Sequence, residues 1–189
     1  MQITAKTWNE YITRLSRLNQ KAGQLMRQYI DTHGTGDADA LITYAAALVT
    51  KYGEGSAELA CQMYDALAEA ANAGVPAAEP AEPADYGEVA RMVNATKNQN
   101  PANLPNGVSR LVKRAGADTT LKNAVRDGAE WAWVPHGDTC PFCITLASNG
   151  WQKASSKVLK GGHADHIHAN CDCAVSYTHL RAHETLMNL

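Results

Sequence analysis

The sequence predicts a mainly α protein, an N-terminal helical bundle followed by a small α+β module at the C-terminal end. Three observations carry that reading. Alanine supplies 32 of the 189 residues while aromatics make up only 6%, with Phe142 the single phenylalanine, so the apolar core is thin and suits closely packed helices. Apolar residues in the first third recur at steps of three and four. Four of the five cysteines form two tight pairs, Cys140/Cys143 and Cys171/Cys173, which in a reducing compartment point to metal rather than disulfides.

The first helix carries Trp8, Tyr11, Leu15, Leu18, Ala22, Leu25 and Tyr29 on one seam, with Thr7 and Glu10 as a capping box and His33-Gly34 as its end. Three heptads would serve a coiled coil, but further helices follow directly, which favours an intramolecular bundle. A second helix is expected from about Asp39 to Lys51, with Leu41, Ala45, Leu48 and Tyr52 on one stripe and Gly53 closing it. A third starts at Ser56 and carries Leu59, Met63 and Leu67 to Ala70, before Asn72-Ala-Gly74. Cys61, inside it, reads as a small buried apolar residue.

Residues 75–85, with three prolines and two glutamates, cannot form a packed element and read as an extended connector. A short helix from Tyr86 to about Thr96 and a polar loop over 98–106 follow. Two more short helices are expected, one with Val108, Leu111 and Val112 and one with Leu121 and Val125. Then the period changes: Glu130–Val134 places Trp131 and Trp133 on one face of a strand that Pro135 ends. A short helix over 144–148 and a turn at Asn149-Gly150 complete the pattern. The expected division is thus a helical domain over 1–74, a Pro/Ala/Asn-rich connector with a short helix over 75–106, and a metal-binding module over 107–174.

The balance of 17 Lys+Arg against 19 Asp+Glu, a net charge of −2, excludes a strongly basic nucleic-acid coat protein. No run approaches the ~20 apolar residues of a membrane span, and the start lacks the apolar stretch of a secretory signal, so a soluble cytosolic product is expected.

The chemistry concentrates in Cys140-Pro-Phe-Cys143 and His168-Ala-Asn-Cys171-Asp-Cys173. Two thiolates three positions apart can face one cation from a tight turn, and a second pair at the same spacing completes a tetrahedron. The expected ligands are Cys140, Cys143, His168 and Cys171, with Cys173 as the alternate to Cys171. Zinc best suits mixed sulfur and imidazole ligands without redox demands, so the module is expected to be zinc-stapled. His163 and His166 read as loop groups beside the site. A redox dithiol would want Cys140 at a helix N-terminus in a βαβ setting and leaves Cys171 and Cys173 without a role. A closed, thiolate-rich set makes the zinc structural, supplying on the order of 10 kcal/mol of folding free energy. No residue is assigned a catalytic role. Trp131, Trp133, Phe142, Leu146 and Trp151 are expected to cover the site as a satellite core.

At these residues the sequence resembles the minor head, or head-morphogenesis, proteins of tailed bacteriophages, the MuF-like minor capsid group. The resemblance rests on Cys140-Pro-Phe-Cys143, Leu146-Ala-Ser-Asn-Gly150 and His168-Ala-Asn-Cys-Asp-Cys173, preceded by Trp131-Ala-Trp-Val-Pro135, within residues 129–174. It implies a virion component made in the infected bacterial cytoplasm. Such a protein would contact portal and capsid subunits, and weakly DNA, and would act in head assembly or DNA packaging and delivery. Two other classes are weighed against it. A metal-dependent His-Asn-His-type endonuclease is suggested by Asp165-His-Ile-His168, but the two residues between His168 and Cys171 leave no room for a ββα finger. A zinc-ribbon nucleic-acid binder would use a modest basic face of Lys113, Arg114, Lys153, Lys157 and Lys160.

Val175–Thr185 resembles the translation of a transposon adapter used in sequencing-library preparation. Residues 175–189 are therefore expected to be an artefactual tail outside the fold, with His179 and His183 excluded as ligands and the natural chain continuing past Ala174.

Overall fold

The computed structural model describes residues 5–137, 140–157, 159, 167–169, 171 and 173–178. The protein is mainly helical with a small three-stranded sheet. Helix α1 spans Ala5–His33, α2 Ala38–Ala70, α3 Tyr86–Gln99, α4 Leu104–Asp127 and α5 Pro141–Ala147. Strands β1 (Glu130–Val134), β2 (Gln152–Lys153) and β3 (Ala174–Thr178) form an antiparallel sheet in the order β2-β1-β3.

Helix α1 buries Trp8, Tyr11, Ile12, Leu15, Asn19, Ala22, Gly23 and Met26, while Leu18, Leu25 and Tyr29 of the expected seam are only half-buried. The buried stripe is wider than the expected seam, taking in Ile12, Asn19, Gly23 and Met26, because α1 packs on two neighbours, α2 and α4. The capping box is corrected: Thr7 lies inside the helix, and Glu10 pairs with Lys6 at 3.9 Å.

The expected second and third helices are one helix of 33 residues, α2, N-capped by Asp37, whose Oδ1 accepts from the Ala40 N–H at 3.0 Å. Gly53 and Ser56 do not break it, because both are used for close approach. A Cβ on Gly53 would lie 2.9 Å from Pro83 Cβ, and one on Gly116 of α4 would lie 2.7 Å from Ser56 Oγ. Likewise the two helices expected after the polar loop are one, α4, whose Ala115-Gly116-Ala117 centre is small enough to sit against its neighbours. The loop over 98–106 shrinks to a 3₁₀ turn at Pro101–Asn103. Gly128 ends α4 in the left-handed conformation, φ 65°.

Residues 75–85 are extended, as their prolines require, but they are strapped onto the bundle. Asn123 of α4 accepts from the Glu79 N–H and donates to the Glu79 carbonyl, both at 2.9 Å; Thr119 Oγ1 accepts from the Ala81 N–H at 2.9 Å; Arg126 donates to the carbonyls of Pro76 and Ala77, both at 2.9 Å. These side chains, at steps of four and three along one ridge of α4, supply partners that a backbone outside any ladder otherwise lacks. Helix α3 follows, N-capped by Asp85 and tied to α4 by a bidentate pair between Glu88 and Arg114, one arm of which measures 2.6 Å.

Packing crosses the expected division at 75–106. One buried cluster joins Trp8, Tyr11, Tyr64 and Leu121 to Trp131, Trp133, Cys143, Cys171 and Cys173. A second, with Met26, Leu41, Val49, Val89, Val93 and Leu111, fills the other end of the bundle. Trp131 and Trp133 therefore belong to the main core and not to a satellite.

Strand β1 occupies the predicted residues and pairs with β3 through Trp131↔Tyr177, Trp133↔Val175 and Val134↔Ala174. This corrects the expectation that the fold ends at Ala174. Val175–Thr178 supply backbone partners to β1, and Tyr177 stacks on Tyr64 at 3.6 Å between centroids. A strand forms there because Val-Ser-Tyr-Thr is extended-compatible and β1 would otherwise present an unpaired edge.

Two outcomes follow. Asn123→Ala is expected to cost about 1–3 kcal/mol in urea unfolding, by removing both hydrogen bonds to the Glu79 backbone, and to expose residues 75–85 to limited proteolysis. The hydrogen-bonded Arg114 guanidinium holds the Glu88 carboxyl below its ordinary range, against a smaller opposing effect of burial. The pair's contribution is thus fully present above the unfolded carboxyl's pKa of ~4.3 and is lost as pH falls through the lower folded value. Glu88→Gln is expected to destabilise by about 1 kcal/mol at pH 7, with the difference from wild type closing only in acid below the ordinary glutamate range.

Candidate metal centre

Two short backbone segments bring the donors together. After β1 the chain turns so that Cys140 N-caps α5, its Sγ accepting from the Cys143 N–H at 3.5 Å, with Pro141 in the first turn. This Cys-Pro-Phe-Cys geometry places Cys140 and Cys143 on the same end of the helix. The second segment runs from His168 through Cys171 and Cys173 into β3, whose pairing with β1 sets its position.

The Sγ atoms of Cys140, Cys143 and Cys171 all lie within 4.8 Å of one another, with Cys143 and Cys171 at 3.4 Å. His168 Nδ1 is 3.4 Å from Cys140 Sγ and 3.9 Å from Cys143 Sγ. A tetrahedral zinc with Zn–S of about 2.3 Å and Zn–N of about 2.0–2.1 Å has S···S edges of about 3.8 Å and S···N edges of about 3.5 Å. The three sulfurs could hold a cation of that kind, and His168 Nδ1 lies at ligand spacing from two of them, Cys140 and Cys143. Cys173 adjoins the trio: its Sγ is 3.2 Å from Cys143 Sγ, and on its other side it is 3.6 Å from Lys113 Nζ. All five cysteines are free thiols, including Cys61, which is buried in α2 as its apolar setting suggests. His163 and His166 lie outside the described residues, as do Asp165, His179 and His183.

Burial decides how the thiols behave. Cys143 is fully buried, and burial together with hydrogen bonding to Cys173 and Cys171 pushes its thiol up. Burial likewise raises Cys173, although the nearby Lys113 charge opposes it. Burial pushes Cys171 up as well, but backbone hydrogen bonds from Cys140 and Cys173, together with side-chain hydrogen bonds from Cys143 and Cys173, outweigh it and bring its thiol down to about 7. A bound divalent cation would favour the thiolates throughout, so protons and metal compete for this cluster.

Cys140 and His168 line an open groove between the cysteine segments and α3–α4, shared with Thr96, Gln99, Asn103 and Arg110. Cys143 and Cys173 lie behind them, in the core. Phe142 is 45% exposed and does not cover the site; its ring lies 5.2 Å from that of His168. Leu146 packs on the core from the edge and Trp151 is half-buried. The redox alternative does find Cys140 at a helix N-terminus, but the described strands form an antiparallel sheet with no βαβ unit.

The expected basic face is corrected at two positions. Lys113 is 5% exposed and turns inward, and Arg114 is held by Glu88 and by Asp118 at 3.6 Å. Lys160 lies outside the described residues. Sequence reasoning thus missed Lys113 as part of the centre. Its Nζ donates to the Cys171 carbonyl at 2.5 Å and reaches the His168 carbonyl at 3.5 Å. The signal was present in α4, where Lys113 lies among the small or apolar residues 112, 116 and 117 and off the charged stripe of Arg110, Arg114, Asp118 and Lys122.

Fold and site together define a helical protein with a C-terminal thiol-imidazole cluster of metal-binding geometry. The sequence matches the family described as VG15 protein over residues 2–184, and the chain belongs to that phage-associated family. No curated protein and no solved structure matches it. Among the described residues, no helix is long and apolar enough to cross a membrane.

Proposed function

We propose that this phage protein is a virion component of the minor capsid, head-morphogenesis kind, whose C-terminal segments are stapled by one structural zinc. The observation that carries the reading is the convergence of Cys140, Cys143 and Cys171 within 4.8 Å, with His168 Nδ1 alongside. The Cys-x-x-Cys and His-x-x-Cys-x-Cys segments that bear the minor head resemblance are the segments that converge. Membership of a phage-associated family agrees with it.

In this reading the four ligands are Cys140, Cys143, His168 and Cys171. Cys173 is the neighbouring thiol behind them, assigned outside the ligand set because it lies in the core and faces Lys113, whereas His168 stands beside Cys140 at the open groove. Three thiolates and an imidazole fill a tetrahedron and leave no position for a reacting water, so the metal holds structure and performs no reaction. The helices present surfaces to portal and capsid subunits, with DNA as at most a weak contact, and the protein acts in the virion after assembly in the host cytoplasm.

Metal analysis of protein purified without chelator should give one zinc per chain. Cys171→Ser should lose most of that zinc, while Cys173→Ser should retain it. Zinc loss in Cys173→Ser with retention in Cys171→Ser would reverse the ligand assignment. For the assembly role, protein expressed with its phage's head genes should co-purify with portal or capsid subunits and appear in purified particles by mass spectrometry. Absence from particles alongside normal expression would overturn it.

A further inference from the structure

Lys113 sits near the middle of α4, 5% exposed, where an ammonium loses most of its hydration. Its three polar neighbours are the Cys171 carbonyl at 2.5 Å, the His168 carbonyl at 3.5 Å and Cys173 Sγ at 3.6 Å. An ammonium has three N–H donors and no acceptor, so these neighbours match its whole capacity. Among the described residues no carboxylate forms an ion pair with it. A buried cation needs a negative counterpart, and the feature directly above it is the cysteine cluster.

We propose that Lys113 is a positioning residue of the metal centre, a fixed positive charge that offsets the metal–thiolate cluster and holds the His168–Cys173 segment in ligating geometry. The inference rests on the metal reading above and extends it to a helix that contributes no ligand. Its charge arithmetic is simple. A divalent cation with three thiolates and a neutral imidazole carries one net negative charge, and a single ammonium balances it. The same side chain binds two carbonyls of the segment that delivers His168 and Cys171, so it sets their spacing as well as the local charge. Outer groups of this kind commonly change metal affinity ten- to a hundredfold when removed.

The test compares wild type, Lys113→Met and Lys113→Arg in the full chain. Zinc affinity is read by competition with a chromophoric chelator, the site by the absorption of the cobalt(II) form, and stability by thermal melting with and without metal. Lys113→Met is expected to bind zinc ten- to a hundredfold more weakly and to shift the thiolate-to-cobalt absorption. Lys113→Arg, which keeps the charge, should recover part of the affinity and keeps the test readable if the methionine variant does not fold. Metal-free Lys113→Met should melt no lower than metal-free wild type, because methionine then replaces an ammonium without its counter-charge. Unchanged zinc affinity in Lys113→Met, or an equal loss of melting temperature with and without metal, overturns the inference and leaves Lys113 a packing residue. A wild-type protein that gives no thiolate-to-cobalt absorption overturns the metal reading itself, and this inference with it.

Discussion

The constraint on which the C-terminal half depends is the meeting of two backbone segments that, among the described residues, share no regular hydrogen-bond ladder. One is the Cys140–Cys143 turn at the head of α5; the other is the run from His168 to Cys173. What links them directly is a set of sulfur and nitrogen atoms at the spacing of a tetrahedral cation's ligands. Without such a cation, thiols in the core of the protein contribute only weak hydrogen bonds. The large aromatics Trp131 and Trp133 share one buried cluster with Cys143, Cys171 and Cys173 and with residues of α1, α2 and α4.

Helix α4 is the element that makes the two halves one structure. It packs against α1, α2, α3, β1 and β3. On one ridge Thr119, Asn123 and Arg126 hold the proline-rich strap, on another Arg114 holds α3, and Lys113 reaches under the cysteines. A helix used on so many sides cannot be amphipathic, and its small residues at 115–117 mark close approach to neighbours. This explains why composition and stripe patterns divided the chain where packing does not.

The sequence was legible where a local pattern has a single physical meaning. Strand β1 falls on its predicted residues because two tryptophans alternate and Pro135 stops them, and the N-terminal seam was visible because α1 has one buried face. The Cys-x-x-Cys turn was legible for a similar reason, since its spacing alone aims two sulfurs to one side. Gly53 and Ser56 misled in the opposite direction. In isolation they resemble a helix end and a helix start, but they serve contacts with Pro83 and with Gly116 of α4 that only the folded chain reveals. The adapter-like Val175–Thr178 was set aside on its origin, yet the edge of β1 pairs with it as a strand. The different surroundings of Cys171 and Cys173 could not be read from spacing, because they depend on which thiol faces Lys113 in the folded chain.

The most direct measurement of the central claim is X-ray absorption at the zinc edge of the purified full chain. A shell of three sulfurs at about 2.3 Å and one nitrogen at about 2.0–2.1 Å is the result this account predicts. A shell made only of oxygen and nitrogen, with no sulfur scattering, would contradict it.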